Sequence, residues 1–101
     1  MKKIINGKKY DTETANIIAG SSHGCASDIN FWSETLYRKT NGEYFLYGEG
    51  GPASKYREYS ASNSFRGGEN ITPLTEYEAK SWAERNMTVE KYEDEFGEVE
   101  E

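Results

Sequence analysis

The segment LYRKTNGEYFLY, residues 36–47, sets an Asn-Gly dipeptide between two runs rich in aromatic and aliphatic side chains. It predicts a β-hairpin turning at Asn41-Gly42, because both central positions of a two-residue type I′ turn need positive φ. That turn pairs Lys39 with Tyr44, Arg38 with Phe45, Tyr37 with Leu46 and Leu36 with Tyr47. One face then carries Leu36, Arg38, Phe45 and Tyr47, the other Tyr37, Lys39, Tyr44 and Leu46. Neither set is purely polar, so one of them is either covered by another element or exposed with its rings showing.

The flanking sequence supplies the other elements. KKIING predicts a first strand with a turn at Asn6-Gly7. Asp11 reads as the N-cap of a short helix, with Glu13 in its first turn, Tyr10 stapled onto Ala15, and Gly20 ending it. SSHGCASDIN and GEGGPASKY read as loops, YREYSASNSF as an irregular strand, and ENITPL as an edge segment limited by Pro73. Thr75-Glu76-Tyr77-Glu78 is a capping box opening a helix over about 76–86, with Ala79, Trp82 and Ala83 as its buried stripe. Thr88 caps a second helix in which Val89, Tyr92 and Phe96 recur at helical spacing and Gly97 is the stop. The expected fold is α+β: one domain over residues 1–101, with a small antiparallel sheet centred on the hairpin. A short N-terminal helix and two C-terminal helices complete it, the latter packed through Ala79, Trp82 and Phe96.

Charge narrows the function. Residues 1–89 hold 11 Lys/Arg and 11 Asp/Glu, while residues 90–101 hold one Lys and 7 Asp/Glu, which gives the net charge of −6. A balanced body with a negative extremity suits a basic surface better than a phosphate backbone. Phosphate cradling by GEGGP fails for want of a following helix and a Lys-Ser/Thr pair, so its glycines are expected at turns with positive φ. His23, Cys25 and Asp28 are too few for a zinc site or a nucleophilic triad. No run approaches a membrane span and no secretory signal opens the chain, so a cytoplasmic, cofactor-free protein is expected.

The stretches KKIINGKKYDTETA, ETLYRKTNGEYFLYGEGGPASKY, GGENITPLTEYEAKSWAE and KYEDEFGEVEE resemble a small domain encoded on phages and mobile elements of Gram-positive bacteria. That domain occurs among the type II-A anti-CRISPR proteins. The resemblance spans nearly the whole chain, is strongest in the hairpin-plus-glycine segment, and departs at YREYSASNSF. It implies a non-enzymatic inhibitor that binds an RNA-guided nuclease and obstructs guide-RNA loading, target-DNA entry or a nuclease domain. It transfers no catalytic motif.

The acidic helix and the aromatic hairpin place the expected partner contacts on Glu90, Glu93, Asp94 and Glu95 of the last helix, and on Tyr37, Arg38 and Tyr44 of the hairpin. Reversing Glu93, Asp94 and Glu95 to Lys is expected to abolish inhibition. A first rival is a nucleic-acid-binding regulator that uses Lys2, Lys3, Lys8, Lys9, Arg38 and Lys39 as one patch. A second is a metal-dependent nuclease acting on guide RNA, and a third a scaffold module in longer chains.

Overall fold

The structure is a computed structural model that describes residues 1–61 and 64–101. Its strands are β1 (Lys2–Ile5), β2 (Lys8–Asp11), β3 (Asn16–His23), β4 (Trp32–Arg38), β5 (Tyr44–Gly50), β6 (Glu58–Ser60), β7 (Ser64–Arg66) and β8 (Gly68–Leu74). Two helices follow, α1 (Glu76–Asn86) and α2 (Val89–Phe96). A four-stranded antiparallel sheet in the order β3-β4-β5-β8 forms the centre, and β1-β2 and β6-β7 are separate two-stranded hairpins. The fold is thus mostly antiparallel sheet with two C-terminal helices, which corrects the expectation of a small sheet beside three helices. Of the expected YREYSASNSF strand, Glu58–Ser60 and Ser64–Arg66 form the β6-β7 hairpin, while Ser62 and Asn63 lie outside the described residues.

There is no N-terminal helix. The Asp11 carboxylate accepts the Glu13 N–H at 2.9 Å and the Ala15 N–H reaches the Asp11 carbonyl at 3.2 Å, so the capping chemistry closes one turn. The chain then enters β3 through Asn16-Ile17-Ile18, whose paired β-branched side chains favour an extended backbone over a second helical turn. Ser21–His23, expected in a loop, end that strand.

The central hairpin pairs Arg38 with Tyr44, Tyr37 with Phe45 and Leu36 with Leu46, one residue away from the expected register. The reason lies in the turn. Gly42 alone takes positive φ (92°) while Asn41 does not, and the Gly42 N–H donates to the Lys39 carbonyl at 2.9 Å. This is a three-residue loop with the glycine at the left-handed position, in place of a type I′ turn. The Asn41 side chain stabilises it by accepting the Glu43 N–H at 3.0 Å. The type I′ geometry occurs instead at Asn6-Gly7, with φ of 51° and 78°, between β1 and β2.

This register sorts the side chains cleanly. Tyr37 and Phe45 point to one face, where they cluster with Ile71 and with Tyr10 of the β1-β2 hairpin. Leu36, Tyr44 and Leu46 point to the other, where Leu36 meets Ala79 and Trp82 of α1 and Phe96 of α2 packs alongside. Each face is partly covered, one by a basic hairpin and the other by two helices.

α1 keeps its capping box, since Thr75 accepts the Glu78 N–H and the Glu78 carboxylate accepts the Thr75 N–H. It is tied to the sheet by a buried carboxylate. Glu34 on β4, 5% exposed, accepts the Trp82 indole N–H at 2.9 Å, the Lys55 ammonium at 2.7 Å and the Tyr56 hydroxyl. Burial pushes the Glu34 carboxyl up, but these donors outweigh it and leave the pKa below the ordinary value. Tyr56 reaches Glu34 by lying across Gly48, where a Cβ would come within 1.9 Å of the Tyr56 Cζ. Gly48 is therefore required by close approach, and its φ is not positive, as a turn would have needed.

Candidate functional site

α2 and the residues after it carry the acidic excess, and the fold divides those carboxylates. Glu95 turns inward: its side chain is 10% exposed and its Oε2 accepts the Arg38 guanidinium at 2.5 Å and the Tyr44 hydroxyl at 2.6 Å. Arg38 and Tyr44, expected at a partner surface with Glu95, thus clamp α2 to the sheet. Tyr37 is 8% exposed and stacks on Phe45 with ring centroids 5.1 Å apart, so it belongs to the core. Glu90 and Asp94 are exposed, and Glu93 is half-buried with its carboxylate accepting the Val99 N–H at 3.3 Å.

Burial, and then the hydrogen bond to Glu95, push the Tyr44 hydroxyl up to about 12. The unfolded chain releases that proton near pH 10, the ordinary tyrosine value. The stability Tyr44 contributes is therefore complete below pH 10 and is lost as pH rises through 12. Thermal denaturation across this window should show Tyr44→Phe losing stability less steeply than the parent. An identical slope in both proteins would contradict the clamp.

Among the described residues, Glu95 is the only carboxylate of the 90–101 segment in an ion pair. Glu90, Glu93, Asp94, Glu98, Glu100 and Glu101 have no counter-ion among the described residues. Two of them also stand where they weaken their own helix. Glu93 and Asp94 lie in the last turn of α2, which holds no basic residue, against a macrodipole that favours cations there by ~0.3–1 kcal/mol each. Lys2, Lys3, Lys8 and Lys9 sit on the β1-β2 hairpin across the sheet, so a basic and an acidic layer flank it.

Of the six cations expected on one patch of a nucleic-acid binder, one lies on the opposite side of the sheet and two others share an ion pair. Arg38 lies on the helix side with Glu95. Lys8 and Lys39 converge on the Glu43 carboxylate at 2.5 and 3.2 Å, which holds its pKa down to about 2. Lys3 donates to Asn70 at 2.9 Å, which leaves Lys2 and Lys9 as the exposed cations of that hairpin whose side chains bond nothing among the described residues.

A cleft of about 410 Å³ opens beside α2, walled by the end of α1 and the residues after Gly97. Met87, Val89, Tyr92 and Val99 supply its apolar surface, and Glu84, Glu93, Glu100 and Glu101 its rim. Val89 is 70% exposed and Val99 60%. Of Val89, Tyr92 and Phe96, which recur at helical spacing, only Tyr92 and Phe96 turn toward the body, with ring centroids 5.0 Å apart. The sequence signal for the cleft was the apolar Val89 at the first position of an otherwise acidic helix.

Elsewhere, His23 stacks on Trp32 at 5.5 Å and Cys25 is exposed. Among the described residues no group of three or more His, Cys, Asp or Glu is placed to hold a metal ion, and no helix is long and apolar enough to cross a membrane. Comparison with family models, curated proteins and solved structures finds no match.

Proposed function

We propose that this protein is an anti-CRISPR-type inhibitor that binds a type II RNA-guided nuclease and occludes a basic surface meant for guide RNA or target DNA. The observation that carries the reading is the set of six carboxylates without a counter-ion among the described residues, on the helix side of the sheet. Two of them oppose their helix dipole, and local rules are broken in this way most often where function requires it. Such nucleases hold their nucleic acids in positively charged channels that read backbone geometry. Carboxylates spaced along a helix at about 1.5 Å axial rise per residue present a density of negative charge comparable to phosphates. The contacts are Glu90, Glu93 and Asp94, joined by the acidic residues after Gly97. Glu95, Arg38 and Tyr44 act behind them by fixing the pose of α2.

The test is co-elution of the protein with the nuclease in its guide-free, guide-loaded and DNA-bound forms. The expected result is a stable complex with at least one form, lost once nucleic acid fills the channel. Binding to all three forms with equal affinity would remove the occlusion mechanism, and binding to none would remove the function. A gel shift of free RNA or DNA by the protein alone would favour the nucleic-acid-binding alternative.

A further inference from the structure

We propose that the cleft between the end of α1, α2 and the residues after Gly97 is a docking groove for a cationic amphipathic helix of the partner, a deepening that rests on the reading of the acidic layer as the partner face. The floor and the rim demand different things of an occupant, and a cationic amphipathic helix meets both. Val89 and Val99 are largely exposed on the floor and gain by being covered with an apolar side chain. Glu84, Glu93 and Glu100 stand at the rim without internal counter-ions among the described residues, and none of the groove's lining residues is basic. Charge complementarity therefore selects Arg or Lys on either side of the apolar anchor.

Helical form follows from what the groove lacks. Its walls are two helix segments and a terminal stretch outside the sheets, with no strand edge to pair with an extended peptide. An extended chain would bring unpaired backbone N–H and C=O groups into the groove, whereas a helix arrives with its backbone satisfied. At about 410 Å³ the groove takes a few side chains of one helix face and not a whole domain.

The experiment titrates the full chain with a short labelled peptide bearing leucines at helical spacing and flanking arginines, read by fluorescence anisotropy. A scrambled peptide of identical composition serves as the comparison. The expected result is that the amphipathic peptide binds on the order of tenfold more tightly than the scrambled one. Val89→Ser, which keeps every charge, should weaken the amphipathic peptide by a similar factor and leave the scrambled one unchanged. Val89 is exposed, so circular dichroism should show the variant folded. Equal binding of both peptides, or no loss with Val89→Ser, overturns the groove while leaving a purely electrostatic acidic face intact. Selective peptide binding by a protein that fails to bind or inhibit the nuclease supports the groove and removes the proposed function.

Discussion

Changing Glu90, Glu93 and Asp94 together to Lys is expected to reduce inhibition of the RNA-guided nuclease by at least ~100-fold, with no loss of folded structure. The choice of residues comes from the geometry. Glu95, adjacent in sequence, is excluded because reversing it would set a Lys against Arg38 inside the clamp that seats α2. That would confuse loss of fold with loss of contact. The three chosen side chains have no ion pair among the described residues, so removing their charge breaks no internal bridge. For Glu93 and Asp94 the reversal also places cations at the C-terminal end of α2, where the helix dipole welcomes them. Glu90 in the first turn works the other way, and Glu93 gives up its bond to the Val99 N–H, so the changes nearly cancel. Thermal denaturation should give a Tm close to that of the parent. A folded triple variant that inhibits as well as the parent would show that these carboxylates are not the contact.

A large loss of stability is expected from Gly48→Ala. A methyl group there meets the Tyr56 ring, which must swing away and give up its hydrogen bond to the buried Glu34 carboxylate. A lost hydrogen bond to a buried charge, with the repacking it forces, is worth about 2 to 3 kcal/mol. For a domain of this size that is a fall in Tm of roughly 10 to 20 °C. A double-mutant cycle isolates the cause. In a Tyr56→Ala background the three atoms nearest the methyl group, all of the Tyr56 ring and hydroxyl, are gone, so Gly48→Ala should then have a much smaller effect. Equal destabilisation in both backgrounds would mean that Gly48 is needed for some reason other than the ring above it.

The C-terminal third was legible because its signals are local. The capping box at Thr75 and Glu78, the cap at Thr88 and the stop at Gly97 involve residues a few positions apart, and all four lie where the sequence placed them. The N-terminal helix was misread for a related reason: Asp11 does supply a capping turn, but the decision between one turn and a helix passed to the strand that begins at Asn16, in which Ile17 pairs with Tyr37 of β4 and Ile18 sits at a bulge. The hairpin register turned on a distinction that Asn-Gly does not make by itself. The dipeptide suits a two-residue turn and also the last two positions of a three-residue loop, and the Asn41 side chain bonding the Glu43 N–H stabilises the second.

The same shift of one residue decides which tyrosines reach solvent. With Tyr37 opposite Phe45 rather than Leu46, its ring stacks in the core, and Tyr44 moves to the side of α2 and Glu95. The acidic character of residues 90–101 was readable from composition. That Glu95 pairs with Arg38 while the other six carboxylates have no counter-ion among the described residues depends on the rotation of α2 against the sheet, which is tertiary information. Gly48 belongs to the same class, since the ring that requires it comes from a loop eight residues downstream.

Ionic strength probes the central claim most directly. The affinity of the native protein for the guide-free nuclease should be measured from ~0.05 to ~0.5 M salt, a range over which the Debye length contracts from about 14 to about 4 Å. If unpaired carboxylates compete with nucleic acid for a cationic channel, affinity should fall steeply, by at least about tenfold, chiefly through slower association. An affinity that stays level across that range would contradict the account.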